Sequence, residues 1–143
     1  MLTNNPEETI KVGEKISKYI KPGTMIILSG ELGAGKTTLL KGLAGGLGIK
    51  KSQKRITSSS FVLVREFPEK NFYHIDLFRL SPKDFFGSGF DQYISGENIV
   101  AIEWGEMLKI SKKWQIPAGL RLVKVEIKIL GQNKRKISAS LQK

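Results

Sequence analysis

Eight consecutive residues, Gly30-Glu31-Leu32-Gly33-Ala34-Gly35-Lys36-Thr37, constrain this chain more than any other feature. They carry a glycine, four residues, then glycine, lysine and threonine, a spacing that acquires meaning only between a strand and a helix. Both flanks supply that context. Thr24 to Ser29 is a β-rich run that enters the glycines as a buried strand, and Leu39, Leu40, Leu43 and Leu47 then recur at helical spacing. The predicted helix opens near Lys36 and ends at Gly45 to Gly48. In such a loop, glycines let successive backbone N–H groups turn inward onto phosphate oxygens, and the helix adds its positive end. Gly33, Ala34 and Gly35 would form the cradle, with Lys36 a mobile charge for the β- and γ-phosphates. Thr37 would offer a hydroxyl to a magnesium ion (Mg2+), and Thr38 is placed to donate to the α-phosphate.

The remaining pattern surrounds this loop with alternating elements. Asn5-Pro6-Glu7-Glu8 is a helix start, combining a cap residue, a proline whose missing N–H does no harm, and acids facing the dipole. That helix is predicted to run to Tyr19 or Ile20, where Lys21-Pro22-Gly23 breaks it. Lys50 to Ser60 reads as a polar loop. Phe61 to Phe67, Phe72 to Asp76 and Asn98 to Glu103 read as strands. Val123, Val125, Ile127 and Ile129 alternate with polar residues, as do Ile137, Ala139 and Leu141 after Gly131-Gln132-Asn133, which predicts a C-terminal β-hairpin. The expectation is one α/β domain over residues 1–143, with a central mixed sheet flanked by helices. A chain of 143 residues with 40% hydrophobic content is enough for one core and too short for two full-sized ones.

Composition narrows the chemistry. Without cysteine there is no disulfide framework, thiolate metal site or cysteine nucleophile. The polar, acidic start and the lack of a bilayer-length apolar run predict a cytoplasmic protein with no membrane partner. The net charge of +11 is concentrated in residues 107–143, which hold ten Lys or Arg against the single Glu126. Two readings stay open: a surface that attracts nucleic acid through phosphate contacts, or a solvated face whose lysines protect a sheet edge.

A phosphate cradle alone defines no reaction, because hydrolysis also needs an acid to anchor magnesium and place water. Glu103 ends an apolar strand that a parallel sheet would bring beside the glycine loop, and Asp76 ends a shorter strand in the same way. Trp104, next to Glu103, packs against either nucleotide or core, and His74 is read as a structural side chain. A GTPase would carry an aspartate in an Asn-Lys-x-Asp element, but Asn133-Lys134-Arg135-Lys136 has lysine there. The alternatives are a small-molecule kinase and a nucleotide-gated RNA-binding module with little catalysis of its own.

The glycine loop through Thr38, then Ser58-Ser59-Ser60-Phe61 with Leu63-Val64, His74-Ile75-Asp76-Leu77-Phe78-Arg79-Leu80 and Ile102-Glu103-Trp104, occur in one order. Together they resemble the TsaE (YjeE) family over nearly the whole chain. The resemblance implies an ATPase needed to make threonylcarbamoyladenosine in tRNA, with ATP and magnesium as cofactors and the TsaD and TsaB proteins as partners. Transfer chemistry would belong to those partners, and any tRNA contact through the basic C-terminal third would be weak or indirect. Carried across, Lys36, Thr37 and Thr38 match phosphate and magnesium positions, Asp76 an essential strand-end aspartate, Glu103 a magnesium-linked glutamate, and Trp104 a tryptophan near the nucleotide. The chain departs from the family at Ser59, where proline is usual, at Ser60, where threonine is usual, and at Gln92, where glutamate is common.

Overall fold

The computed structural model describes residues 1–57, 64–77, 89–104 and 118–142. Among them, seven strands form one sheet in the order β1-β7-β6-β2-β5-β4-β3. In chain order these are β1 (Leu2–Thr3), β2 (Thr24–Gly30), β3 (Val64–Phe67), β4 (Phe72–Asp76), β5 (Ile99–Glu103), β6 (Arg121–Ile129) and β7 (Arg135–Gln142). The helices are α1 (Pro6–Ser17), α2 (Lys36–Gly46) and α3 (Ser52–Arg55). The sheet is mixed, as expected. β2 runs parallel to both β5 and β6, and β4 is parallel to β5, while β3, β7 and β1 join antiparallel.

Alternation along β2 splits the core in two. Ile26 and Leu28 pack with Ala101, Val123 and Val125 under the helices, whereas Met25 and Ile27 pack with Val100, Ile102, Ile75 and Leu77 on the other face. A strand buried on both faces reads as a continuous apolar run, which is why Met25 to Leu28 carry no polar position. On the second face Tyr93 stacks on Tyr73 with ring centroids 4.8 Å apart. Its hydroxyl donates to Glu66 Oε1 at 2.7 Å, a bond that, with some burial, raises the phenol above its ordinary pKa. The segment Gly89 to Tyr93 is thereby tied to the sheet's far edge.

Three boundaries differ from the sequence expectation, each for a local reason. The first helix stops at Ser17, because the Ser17 hydroxyl bonds the Glu14 carbonyl and the next N–H groups, on Lys18, Tyr19 and Ile20, bond three residues back. The polar loop at 50–60 contains α3, which a four-residue helix cannot announce by periodicity; it buries Ile56 and holds Arg55 on Glu69 at 2.5 Å. In the hairpin, Val123, Val125, Ile127 and Ile137 are buried, but Ile129, Ala139 and Leu141 are exposed. Ala139 and Leu141 lie on β7, which β1 covers only at Arg135 and Lys136, and Ile129 lies next to the turn. Of the expected strand Phe61 to Phe67, the part from Val64 is observed, and Phe61 to Leu63 lie outside the described residues.

Helices α1 and α2 approach closely because glycines face each other across the contact. A Cβ on Gly42 would strike the Ile10 carbonyl, and one on Gly13 would strike the Leu39 carbonyl. Backbone cannot yield there as a flexible side chain could. Gly42→Ala is expected to cost about 1–3 kcal/mol or more in urea unfolding, whereas Gly96→Ala, with open space at its Cβ, should stay within about 0.5 kcal/mol. Equal midpoints for the two variants would show that the helix contact is looser than drawn.

Candidate phosphate and metal site

The glycine loop leaves the end of β2 and enters α2, the strand, loop and helix order that the sequence implied. Gly33 and Gly35 have φ of 82° and 107°, a region where a Cβ is strained, so both positions require glycine. Ala34 N–H donates to the Glu31 carbonyl at 3.0 Å and closes the turn, and Leu39 N–H to the Gly35 carbonyl at 2.9 Å opens the helix ladder. Gly35 is the cap residue and contributes no side-chain cap bond. The first N–H groups of α2 are therefore left to whatever sits in the loop.

Lys36, the first residue of α2, folds back over the loop. Its Nζ donates to the Gly30 carbonyl at 2.6 Å and lies 3.3 Å from the centroid of the Trp104 ring. The side chain is only 6% exposed, and ring and carbonyl replace part of the hydration it loses. Trp104 reaches this position because its φ is 63°, a conformation that costs a bulky residue about 1–3 kcal/mol. Two backbone bonds hold it there: Trp104 N–H donates to the Leu28 carbonyl, and Leu77 N–H donates to the Glu103 carbonyl.

Parallel pairing sets Leu28 opposite Glu103, and Glu103 opposite Asp76. Both acids proposed from sequence therefore stand in one row at the strand ends beside the loop. Glu103 is buried, accepts from the Thr37 hydroxyl at 3.4 Å through Oε1, and bonds His74 Nε2 at 2.7 Å through Oε2. Asp76 is half-buried. The structure thus gathers Lys36, Thr37, Glu103 and Trp104 with the loop residues Gly33 to Gly35, and sets Asp76 on the neighbouring strand. Ser58 to Phe61 and Phe78 to Leu80 lie outside the described residues.

Two contributors were given no role at the site from sequence. His74, taken as structural, is the partner that holds the Glu103 carboxylate, while its own Nδ1 is buried without a partner among the described residues. Its signal was present: His74 and Asp76 share one face of β4, as Ala101 and Glu103 share one face of β5. Arg135 had no such signal. It lies 101 residues from its main target, yet its Nε donates to the Ala34 carbonyl at 2.9 Å and a terminal nitrogen to the Gly33 carbonyl at 3.4 Å. The other terminal nitrogen binds the turn itself, at Gly131 and Lys134. Because a trans peptide sets C=O and the next N–H on opposite sides, a carbonyl of Ala34 held outward turns the Gly35 N–H inward.

Fold and site together define an α/β protein with a mixed sheet and a glycine-rich strand-to-helix loop facing a buried carboxylate. Residues 3–137 match the family model described as threonylcarbamoyl adenosine biosynthesis protein TsaE, and this chain belongs to the TsaE family. It is 33% identical over 138 residues to the tRNA threonylcarbamoyladenosine biosynthesis protein TsaE of Bacillus subtilis, covering 95% of this chain and 81% of that one. It is 37% identical over 139 residues to the protein of the same name from Aquifex aeolicus, covering 96% and 92%. The crystal structure of Bacillus subtilis YdiB superposes with a TM-score of 0.71 at 31% identity, covering 99% of this chain and 82% of that one. The family takes part in tRNA threonylcarbamoyladenosine biosynthesis. Among the described residues, no helix is long and apolar enough to cross a membrane.

Removing the Arg135 clamp frees two loop carbonyls at once. Arg135→Ala is expected to speed amide exchange in peptides spanning residues 31–35 while those from β2 and β5 keep their protection. Arg135→Lys restores this only in part, because an ammonium donates from a single nitrogen and cannot span the loop and turn carbonyls that three guanidinium nitrogens reach. Unchanged exchange in the alanine variant would mean that the loop holds its shape without the hairpin.

Proposed function

We propose that this chain binds ATP with magnesium in the glycine loop and hydrolyses it in the service of tRNA N6-threonylcarbamoyladenosine formation, acting with the TsaD and TsaB proteins. The observation that carries this reading is the meeting of Thr37, from the start of α2, with Glu103, from the end of β5, while the neighbouring Lys36 folds back onto the Gly30 carbonyl of the same loop. A hydroxyl oxygen and a carboxylate oxygen 3.4 Å apart are the hard donors that magnesium takes. Among the described residues there is no cluster of three or more His, Cys, Asp or Glu that could cage a metal. That fits an ion which keeps waters and leans on phosphate rather than an all-protein site. When bound, magnesium would neutralise charge on the β- and γ-phosphate oxygens.

The protein's own groups have distinct tasks in this reading. Gly33 to Gly35 and the opening turn of α2 supply N–H donors, and Thr38 is placed for the α-phosphate. Lys36 leaves the Gly30 carbonyl to meet the outer phosphates, so the ring beneath it experiences nucleotide binding directly. Glu103, held by His74, orients toward Thr37, and Asp76 on the adjacent strand end serves the metal's water shell. Arg65 stands on β3, at the edge of the sheet beyond β4, and is paired in register with His74. Arg79, the other arginine near the site in the sequence, lies outside the described residues; with Arg65 on an edge strand, slow turnover by the chain alone is part of this proposal. Partner subunits would order the site, and the basic hairpin is a surface for docking them or for weak tRNA contact.

In a Trp114→Phe background, Trp104 emission should change on addition of ATP, and Lys36→Ala should weaken that binding at least tenfold. Because alanine at 103 would strand His74 at a cost of about 1–3 kcal/mol, Glu103→Gln is the informative variant. It keeps a hydrogen-bonding amide, and it should lower hydrolysis at limiting magnesium by about a hundredfold while ATP binding changes far less. Wild-type turnover in Glu103→Gln would remove Glu103 from the metal site. Steady-state ATPase should rise by at least tenfold when TsaD and TsaB are added; fast turnover unaffected by them would sink the partner-dependent reading.

A further inference from the structure

A groove follows the helix-facing side of the hairpin, at the end of the sheet opposite the glycine loop. It encloses about 400 Å³ between the last turn of α1 and the tail of β7. Met1, Ile16, Tyr19, Val123, Ala139 and Leu141 make its lining apolar. Arg121, at the same end, pairs with Thr24, the first residue of β2, whereas the glycine loop leaves the last. Three of the lining side chains are open to solvent: Tyr19 is 75% exposed, Met1 53% and Leu141 48%. The sheet edge beside them is open as well. β1 pairs with β7 only at Arg135 and Lys136, and beyond that pairing the Ile137 N–H donates to the Met1 carbonyl and the Met1 ammonium to the Ile137 carbonyl, each at 2.8 Å. Bonding groups along a strand of an antiparallel ladder face alternate sides, so Ala139 and Leu141 turn theirs the same way as Ile137. No strand among the described residues meets them there.

We propose that this groove and edge dock an extended segment of a partner protein, apolar at alternate positions and acidic around them, which adds to the sheet beside β7. The surface lies at the other end of the sheet from the glycine loop, so the inference stands apart from the nucleotide reading. Exposed sheet edges are normally blunted by charge, by proline or by a bulge. From Ser138 to Gln142 the strand has no charged residue and no proline, and its register with β6 runs without a bulge. An unprotected edge next to an apolar groove offers both halves of strand addition. Ala139 and Leu141 supply the main-chain bonds, and the groove takes every second side chain of the incoming segment. Charge selects the occupant. Lys15 and Arg121 line the groove with no carboxylate among the lining residues, Lys18 and Lys21 flank Tyr19, and Glu14 is the one acid from Lys11 to Lys21. A second copy of this chain would bring the same cations face to face, and a nucleic acid would lay phosphates against an apolar lining. An acidic and apolar segment satisfies the cations and the lining together.

The test titrates the full chain with a synthetic blocked peptide of alternating Glu and Val, read by calorimetry and by amide exchange at Ala139 and Leu141. Saturable binding that slows exchange at both amides is expected, and it should weaken as salt is raised. A peptide of alternating Lys and Val, and the acidic peptide N-methylated on its edge-facing amides, should each bind about tenfold more weakly or worse. Ala139→Pro removes an N–H directed at the free edge rather than at β6, so it should cost the acidic peptide about tenfold in affinity while far-UV circular dichroism is unchanged. Lys15→Glu/Lys18→Glu should turn the preference toward the lysine peptide. The methylated and lysine peptides meet wild-type protein, so they decide even where a variant fails to fold. No binding of the acidic peptide, equal affinity for the lysine or methylated peptide, or full affinity in a folded Ala139→Pro chain overturns the proposal. Oligouridylate that slows exchange at the two amides where the acidic peptide does not would give the surface to nucleic acid instead. Self-association of the wild-type chain that Leu141→Glu abolishes would give the edge to a second copy, and the proposal would fall in the same way.

Discussion

Leu28 and Glu103 lie opposite each other in a parallel ladder, and the rest of the site depends on that registration. β2 delivers the glycine loop at its end, and β5 ends in the carboxylate. Only parallel pairing places both ends on the same side of the sheet. A shift of one residue would send Glu103 to the other face and bring an apolar neighbour in its place. The register is held because both strands are buried on both faces. Met25, Ile26, Ile27 and Leu28 meet Val100, Ala101 and Ile102, so any slip would disturb two cores at once.

The carboxylate at the centre of this arrangement is nearly inaccessible to water, a costly position for a charge without partners. His74 takes one oxygen and Thr37 approaches the other. The same economy governs Lys36, which is buried against a carbonyl and the Trp104 ring. Two opposite charges are thus held near the loop, each on its own set of partners, with Trp104 kept in a strained backbone conformation to complete one of them. Such strain persists only where surrounding structure over-determines it, and here the backbone bonds to Leu28 and from Leu77 do so.

The basic C-terminal third acquires a structural meaning from Arg135. Among the described residues its charges fall on the β6–β7 hairpin, where Ile129, Leu130 and Leu141 are exposed beside lysines. Yet the hairpin's turn is anchored at the loop through a guanidinium that touches five carbonyls. This exposed basic surface is therefore mechanically joined to the loop proposed to hold phosphate. Movement of one cannot be independent of the other while those bonds persist.

Much of this was legible in the residues themselves. The glycine spacing, the strand before it and the leucine period after it are local signals, and they described β2, the loop and α2 to within a residue or two. Asn5 and Pro6 marked the start of α1, and alternation marked both strands of the hairpin. Glu103 and Asp76 were candidates because an acid at the end of an apolar run is conspicuous in one dimension. What the sequence could not carry was which atoms meet. His74 became the holder of Glu103 and Arg135 the clamp on Ala34 only when residues 29 and 101 positions apart in the chain were brought side by side. Propensity and periodicity act over a few residues and determine elements. Side-chain partnership across the chain is decided by register and packing, which exist only once the sheet has closed.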